Sequence, residues 1–439
     1  MNPKLVFATD ALELRVCRTE KFKAGLLSVS AVLPIDAESA PLTSLLLSVL
    51  RRGTEKFPTL EAINRRLDYL YGTEFSIRNF YRGDCQVIGF SAELLNDTLL
   101  PAHEDLTTAS LDLICQILYR PLLDENGLLL SKYVESEKQF QCDAIRALKN
   151  NPRAYATEQC NALLYRDNAC GASIYGTEEQ ILKVTPASLT AFWRSLIQTL
   201  TFRCFYVGST DEQKLRMALE QTLCKEQREH LAAHTCSPRA VQAVTPLTVP
   251  LTGGEKMEVG QSHLLLGFTS GCVIGSQNYH AFAVFNELLG CSPTSRLFVH
   301  VREKLSLCYH CSSSYNSFKG TLLIQCGLHR DNRARAEEEI KRQIDLIAQG
   351  DVNNGELEAA KKSLGCVYRQ TEDSPTATEG FYFGRALASM DENTDACIDA
   401  INRVTIDDIV AIAKNLRLHT VYFLEGTLEG GEEEEDEDY

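Results

Sequence analysis

Two stretches of the chain decide its fold: LLSVSAVLPIDAESAPLTSLLLSVLRRG at residues 26–53 and HLLLGFTSGCVIGSQNYHAFAVFNELLG at residues 263–290. Each begins with a run typical of a β-strand, continues through a turn into an apolar helix, and ends in glycine. The two final glycines are 237 residues apart (290 − 53). The two stretches therefore indicate an internal duplication.

The duplication continues toward the C-terminus of each copy. NPRAYATE at residues 151–158 corresponds to SPTATEG at 374–380, with an offset of 223 between the prolines (375 − 152). ILKVTPASLTAF at 181–192 corresponds to INRVTIDDIVAI at 401–412, with an offset of 220 between the valines (404 − 184). The offset falls stepwise, as deletions in the second copy would produce. Several such pairs in the same order indicate two homologous copies.

Each copy is predicted to run strand, helix, helix, two strands, further long helices and a last strand. This order favours the α+β class, with a mainly antiparallel sheet covered on one face by helices. We predict a first copy at residues 1–223, a linker at 224–255, a second copy at 256–430 and an acidic disordered tail at 431–439. The tail contains seven consecutive acidic residues, which repel one another and bury nothing.

Composition excludes several classes of protein. The 439 residues are 44% hydrophobic and 23% charged, which is typical of a soluble globular protein. A formal net charge of −15 argues against nucleic acid as a partner, because that partner requires a basic face. No apolar run is long enough for a membrane span, and acids interrupt the first twenty residues. We therefore expect a cytoplasmic protein without a membrane partner.

The cysteines fit the same compartment. Sixteen cysteines are scattered without the spacing of a disulfide framework, which suits a reducing environment. Cys308 and Cys311 form one CxxC pair, and a single pair is weak evidence for zinc or redox chemistry. Packing between strands is the favoured interpretation.

Residues 292–328, SPTSRLFVHVREKLSLCYHCSSSYNSFKGTLLIQCGL, carry a specific resemblance. The order of SRLF, REK, an aromatic-containing strand and a glycine turn is similar to that of the pitrilysin/insulinase family of zinc peptidases. RRGT at 51–54 and YGTEEQILKVT at 175–185 also fall where that family has them. The resemblance covers all but the linker and tail, and it implies the fold of mitochondrial processing peptidase-like metallohydrolases.

Active members of that family bind zinc through HxxEH on the first long helix and a glutamate on a later helix. The corresponding positions here are Ser44, Leu47 and Ser48 on the first helix and Ala144 on the later one. Glu137 keeps the family's EK position seven residues before Ala144. Serine is a poor zinc ligand and leucine accepts no proton, so the resemblance implies a chain that binds no metal and catalyses nothing alone.

Other metal or catalytic sites find little support in the sequence. His230 and His234 are four residues apart, as metal ligands on a helix can be, but no third ligand accompanies them and a solvated helix face is the favoured interpretation. His300 and His310 are expected to complete a strand or helix face. No phosphate-binding glycine loop is present, and no spacing singles out a serine, cysteine or lysine nucleophile.

Arg302 and Tyr309 match the arginine and tyrosine that family members project toward the zinc site, at a helix start and in the following strand. Residue types alone favour an Arg302 paired with Glu303 or Glu356 and a Tyr309 that merely packs. The resemblance favours substrate binding instead. Arginine offers forked donors to a peptide carbonyl or carboxylate, and tyrosine can donate to an oxyanion.

Three functional hypotheses follow. The first is a noncatalytic, substrate-holding subunit of a heterodimeric zinc metallopeptidase, with zinc on an HxxEH-bearing partner chain and a peptide as substrate. The second is a structural scaffold without a peptidase role. The third is a self-sufficient hydrolase with an unrecognised nucleophile. The resemblance extends to bacterial members without the zinc motif that are named in connection with modification of elongation factor P, and that association rests on resemblance alone.

Overall fold

The computed structural model describes residues 2–96, 99–100, 105–230 and 239–428. The chain forms two units whose segments alternate along the sequence. Unit 1 contains Met1–Ile145, Ser173–Ala240 and Thr371–Asp391, and unit 2 contains Arg146–Ala172, Val241–Gln370 and Glu392–Tyr439.

Unit 1 is built on a six-stranded sheet with the order β1-β2-β6-β3-β5-β4. Only the β2/β6 pair is parallel. The strands are β1 Lys4–Ala8, β2 Leu12–Arg18, β3 Ala24–Pro34, β4 Glu74–Arg82, β5 Cys85–Leu95 and β6 Phe202–Gly208.

Unit 2 is built on a five-stranded sheet with the order β7-β11-β8-β10-β9. Only the β7/β11 pair is parallel, so the sheet repeats the order and directions of β2-β6-β3-β5-β4 in unit 1. The duplication and the mainly antiparallel α+β class are thereby confirmed. The strands are β7 Leu251–Met257, β8 Ser262–Thr269, β9 His310–Asn316, β10 Thr321–Leu328 and β11 Arg417–Gly426.

Fifteen α-helices lie within the described residues. They are α1 Ser39–Leu50, α2 Leu60–Tyr69, α3 Leu106–Tyr119, α4 Ser131–Ala147, α5 Pro152–Leu164, α6 Glu178–Leu182, α7 Pro186–Ile197, α8 Glu212–Gln221, α9 Leu223–His230, α10 Tyr279–Asn286, α11 Arg333–Ala348, α12 Asn354–Gln370, α13 Pro375–Leu387, α14 Thr394–Asn402 and α15 Ile406–Asn415. Two π-helical segments, Glu287–Cys291 and Phe298–Lys304, follow α10.

The repeated sequence signals mark equivalent helix starts. Asn151 and Ser374 cap α5 and α13, each followed by proline at the first helical position, where its missing N–H costs nothing. Thr185 and Thr405 each form a capping box at the start of α7 and α15. The copies therefore share helix starts as well as strand order.

One face of the unit 1 sheet covers a large apolar core. Leu27, Val29 and Ala31 of β3 alternate toward this core, which also contains buried residues of α1, α3 and α7. Ser28 points to the opposite face, where its hydroxyl donates to Glu379 of α13 at 2.7 Å. Helices therefore lie on both faces of this sheet.

The helices α5 and α13 are exchanged between the two halves of the sequence. Helix α13 comes from the second half, yet it packs on β3 and β6 of unit 1, where Phe383 meets Phe205 edge-on at 6.0 Å. Helix α5 comes from the first half, yet it packs on β8 and β11 of unit 2 through Ala156 and Cys160. Each unit thus needs both halves of the chain.

The predicted domain limits differ from these units. The predicted linker at 224–255 overlaps α9 at one end and β7 at the other. Its residues 231–238 and the acidic tail at 431–439 lie outside the described residues. No helix in the described part of the chain is long and apolar enough to cross a membrane.

Candidate functional site

Helix α1 carries Ser44, Leu47 and Ser48, the three positions that the sequence resemblance predicts to correspond to HxxEH. Ser44 is buried, and its hydroxyl donates to the backbone oxygen of Ile174 at 2.8 Å. The Ser44 hydroxyl oxygen also accepts a hydrogen bond from the side-chain amide of Asn79 at 2.7 Å. The amide of Gln86 in turn donates to Asn79 Oδ1 at 2.9 Å. A hydrogen-bonded chain from the β4–β5 hairpin therefore ends on Ser44.

The other zinc positions offer no ligand either. Leu47 is buried in the apolar core of unit 1. Ser48 is exposed and donates back to the oxygen of Ser44 at 3.3 Å. Ala144 is an exposed methyl group on α4. A serine already engaged in the network, an apolar side chain, an exposed serine and a methyl group do not fit a zinc ion, which takes imidazole, thiolate or carboxylate ligands.

Helix α4 retains Glu137, which forms an ion pair instead of a metal site. Its carboxylate lies 3.1 Å from the Arg52 guanidinium. Burial raises the pKa of the Glu137 carboxyl, and the charge of Arg52 opposes that rise. On the same helix, Gln141 donates to the backbone oxygen of Tyr175 at 2.8 Å. These contacts join α4 to α1 and to the segment before α6.

Asn79 and Gln86 are site residues that sequence reasoning did not identify. They lie on neighbouring strands of a hairpin and reach α1 only because of the β4–β5 register. The sequence offered one usable signal, which is a side-chain amide in each of two neighbouring strands.

Arg302 and Tyr309 both lie in unit 2. Arg302 is in the π-helical segment Phe298–Lys304, where its guanidinium stands 4.9 Å from the Phe298 ring centroid. Its Nε is 3.8 Å from a Glu303 carboxylate oxygen, and 42% of the side chain is exposed. Glu356, the other acid considered from sequence, is paired with Arg296 at 2.9 Å. The Arg302 guanidinium is thus only loosely paired.

Tyr309 precedes β9 by one residue and does not lie within the strand. Its backbone N–H donates to the oxygen of Gly327 at 2.8 Å, which fixes the main chain beside β10. The residue is 51% exposed. Among the described residues, its hydroxyl has no hydrogen-bond partner. Arg302 and Tyr309 therefore present donors to solvent on unit 2, and a peptide oxygen is the kind of acceptor they fit.

Two histidines lie on the strands that flank β10, one on each side of its C-terminal end. His263 of β8 and His310 of β9 are both paired in register with Gly327, and their ring centroids are 6.2 Å apart. A Cβ atom at residue 327 would lie 2.3 Å from His310 Cε1, so a larger residue there would displace the His310 ring. Burial lowers the pKa of both imidazoles to about 4, with a further contribution from Arg153.

Of the histidine pair considered from sequence, the structure describes only His230. His230 lies near Glu226 and Glu229 on α9, close enough for three ligand atoms to surround an ion. Glu226, however, is hydrogen-bonded to Arg120, whose positive charge opposes a cation, and His230 stacks on Tyr119 at 5.1 Å. His234 lies outside the described residues.

The chain is similar in sequence to known proteins. Residues 183–364 match a family described as "Peptidase M16 inactive domain". The chain is 27% identical over 416 residues to "Probable inactive metalloprotease YmfF" of Bacillus subtilis (strain 168), covering 95% of this chain and 96% of that protein. It is 22% identical over 371 residues to "Uncharacterized zinc protease YmxG" of the same strain, covering 82% and 86%.

A solved structure shares the fold. A conserved protein from Enterococcus faecalis V583 superposes with a TM-score of 0.89 at 24% identity, over 98% of this chain and 100% of that chain. The family match and the similar proteins indicate an inactive metallopeptidase-like protein. Residues 183–364 match the M16 family model, and the chain as a whole is similar to an inactive metalloprotease-like protein.

Proposed function

We propose that this chain is a noncatalytic, substrate-holding subunit of a heterodimeric zinc metallopeptidase in the cytoplasm. The observation that carries the proposal is a contrast between two sets of positions. The zinc positions on α1 are occupied by a hydrogen-bonded serine and a core leucine, whereas Arg302 and Tyr309 keep accessible donors. A chain with this contrast can bind a peptide but cannot activate water.

The proposed partner is a homologous chain that carries HxxEH and zinc. Zinc bound there would supply the activated water. Arg302 would bind a carbonyl or terminal carboxylate of the peptide through its forked donors. The Tyr309 hydroxyl would donate to the oxyanion that develops during cleavage, so it would act in the transition state more than in the ground state.

The test is peptide cleavage by this chain, by its HxxEH-bearing homologue from the same organism, and by the two together. Light scattering after size exclusion reports whether a 1:1 complex forms. We expect Arg302→Ala and Tyr309→Phe each to lower kcat/KM of the complex by about 10- to 100-fold. Exposed residues of unit 1 give matched controls, Arg65→Ala and Tyr175→Phe, which are expected to leave kcat/KM unchanged.

Unchanged activity of the Arg302→Ala complex would reject the substrate-holding role. Stoichiometric zinc in this chain, or chelator-resistant turnover by this chain alone, would favour a self-sufficient hydrolase. The scaffold alternative rests on the same occupied zinc positions, and recovery of a large assembly without any HxxEH-bearing chain would support it.

An association with elongation factor P modification is the least supported part of this proposal, because only family resemblance suggests it. The extent of modification of that factor in a strain lacking this chain tests it. An unchanged modification state would remove the association and leave the subunit proposal intact.

A further inference from the structure

Helix α5 lies along β10 in unit 2 and runs in the opposite direction. Just after the helix, the Tyr165 hydroxyl is 2.7 Å from the Thr321 hydroxyl at the start of β10. Near the start of the helix, the Thr157 hydroxyl accepts from the side-chain amide of Gln325 at 3.2 Å. The helix advances eight residues (165 − 157), or about 12 Å, while the strand advances four (325 − 321), or about 13 Å. The two elements therefore stay in step.

This alignment places Arg153 over the C-terminal end of β10. Arg153 lies one helical turn before Thr157, so both residues are on the face of α5 that contacts β10. A step of nearly the same length along β10 leads from Gln325 to Gly327. Arg153 is therefore at the level of Gly327 and of the two histidines paired with it.

Both histidines lie on the face of the sheet that α5 covers. His263 and Leu265 are two residues apart in β8, and Leu265 packs against Ala156 and Cys160 of α5. His263 is 3% exposed, and its Nε2 atom has no hydrogen-bond partner among the described residues. The same is true of Nε2 of His310. Unpaired buried polar atoms are uncommon, so two in one row indicate a site that a ligand completes.

The first turn of α5 presents further donors. Asn151 caps the helix by accepting from the backbone N–H of Ala154. Pro152 has no N–H, and the N–H of Arg153 has no partner in the described part of the chain. The Arg153 side chain is exposed, and its guanidinium forms no hydrogen bond or ion pair with a described residue. A helix N-terminus that carries an unpaired guanidinium suits an oxyanion.

This position is close to the pair that we propose to hold substrate. The backbone N–H of Tyr309 donates to the oxygen of Gly327 at 2.8 Å, so Tyr309 is one strand away from the level of Arg153. Burial is the main cause of the low pKa of the His310 imidazole, and the positive charges of Arg153 and Arg302 contribute to it. The two guanidinium groups therefore act on the same ring.

We propose that Arg153 and the first turn of α5 form a subsite for a carboxylate of the bound peptide, from an aspartate or glutamate side chain. This inference rests on the proposed substrate-holding role, because it specifies a chemical feature of the same peptide. Arg153 binds the two carboxylate oxygens through its forked donors. Its own backbone N–H adds a donor from the helix. An imidazole with its proton on Nε2 adds one from the sheet.

The first experiment measures peptide binding to the full chain by fluorescence anisotropy. The probes are two labelled peptides that differ at one central position, glutamate in one and glutamine in the other. We expect the glutamate peptide to bind the wild type about 5- to 30-fold more tightly, and the preference to fall below about twofold in Arg153→Gln. Arg166→Gln, an exposed arginine beyond the other end of α5, is the matched control and is expected to keep the preference. Equal affinities for both peptides in the wild type would overturn the subsite.

Cleavage by the complex with the HxxEH-bearing homologue separates this inference from the proposed function. We expect Arg302→Ala to lower kcat/KM for both peptides and Arg153→Gln to lower it for the glutamate peptide alone. Equal losses for both peptides in Arg153→Gln would reject the carboxylate subsite and leave the substrate-holding role intact. A glutamate preference that depends on Arg153, together with unchanged activity in Arg302→Ala, would reject only the substrate-holding role of Arg302.

Phosphate is the other source of an oxyanion, and competition distinguishes it from an acidic side chain. We expect unlabelled glutamate peptide to displace the labelled one at a lower concentration than inorganic phosphate does. The reverse order would assign the site to phosphate and overturn its assignment to an acidic peptide.

Discussion

At residue 44, a buried serine hydroxyl lies where the sequence resemblance predicts the first histidine of HxxEH. Its oxygen accepts from Asn79 and donates to Ile174, so both hydrogen-bonding directions of the hydroxyl are used inside unit 1. This contact ties α1 to the β4–β5 hairpin and to the segment before α6. Ser44 therefore has a structural role in unit 1.

Replacing Ser44 tests this structural part. Ser44→Ala removes the acceptor of the Asn79 amide and the donor to Ile174, and it leaves buried polar groups unpaired. We expect the free energy of unfolding to fall by about 1–3 kcal/mol. Ser48→Ala is the matched control on the same helix, with an expected change within about 0.5 kcal/mol because Ser48 is exposed. Urea unfolding measures both, and equal effects would contradict the network.

The correspondence of three α1 residues to zinc positions stays a prediction from the sequence, and the hydrogen-bond network around Ser44 could not be predicted. Ser44, Leu47 and Ser48 follow from counting along one helix whose neighbours resemble a family motif. Asn79 and Gln86 reach Ser44 through strand register, and one residue of slip would turn both side chains to the opposite face. That strand register cannot be inferred from the sequence alone.

At the scale of elements, three neighbouring strands of unit 2 bring two neutral imidazoles together over a glycine. His263 and His310 approach each other across β10 because Gly327 has no side chain between them. Both rings are held uncharged by burial, which lowers the pKa of each to about 4. An unfolded chain offers no such burial, so its imidazoles keep a pKa of about 6.5.

This difference predicts a loss of stability in mild acid. Below pH 6.5 the unfolded state gains protons at His263 and His310, while the folded state gains them only near pH 4. The free energy of unfolding therefore falls as the pH drops from 6.5 toward 4, by about 2 kcal/mol for each histidine at pH 5. Urea unfolding at pH 7 and pH 5 measures the fall in the wild type and in the His263→Gln/His310→Gln double variant.

The double variant keeps the carboxylates of unit 2, so it serves as the control for all other titrations. Glu339 and Glu356 have lowered pKa values, so their stabilisation is lost as the pH falls through the usual glutamate range toward those lower values, and most of that loss lies below pH 5. An equal fall from pH 7 to pH 5 in both proteins would show that the two histidines are not the cause.

At the scale of the whole molecule, the exchange of α5 and α13 is the feature that the sequence did not predict. The repeat, the sheet class and the helix starts could be inferred, because they depend on local signals such as Asn-Pro and Thr caps. The sheet that a helix covers could not be inferred in this way. An amphipathic face indicates that the helix packs on an apolar surface, but it does not indicate which surface. The predicted limits at 223 and 256 therefore follow the sequence repeats, whereas each unit contains segments from both sides of these limits.

The exchange predicts that neither half of the chain folds alone. Residues 1–240 lack α13, whose Tyr382, Phe383 and Leu387 are buried. Their burial contributes about 5 kcal/mol or more, which is comparable to the whole stability of many proteins. We expect residues 1–240 and 241–439, each expressed alone, to show little amide protection in β3 or β8. Expression of both halves together is expected to restore it. Cooperative unfolding of isolated residues 1–240 would contradict the exchange.

The same exchange sets an order of events on the ribosome. The sheet strands of unit 1 are all synthesised by residue 208, but the helix that covers their second face ends at residue 387. At roughly 5–20 residues per second, this face stays without its covering helix for on the order of ten seconds or longer. During that interval the nascent chain exposes Phe205 and the buried polar positions of β3. We therefore expect a chaperone that binds exposed apolar surface to bind this protein midway through its synthesis.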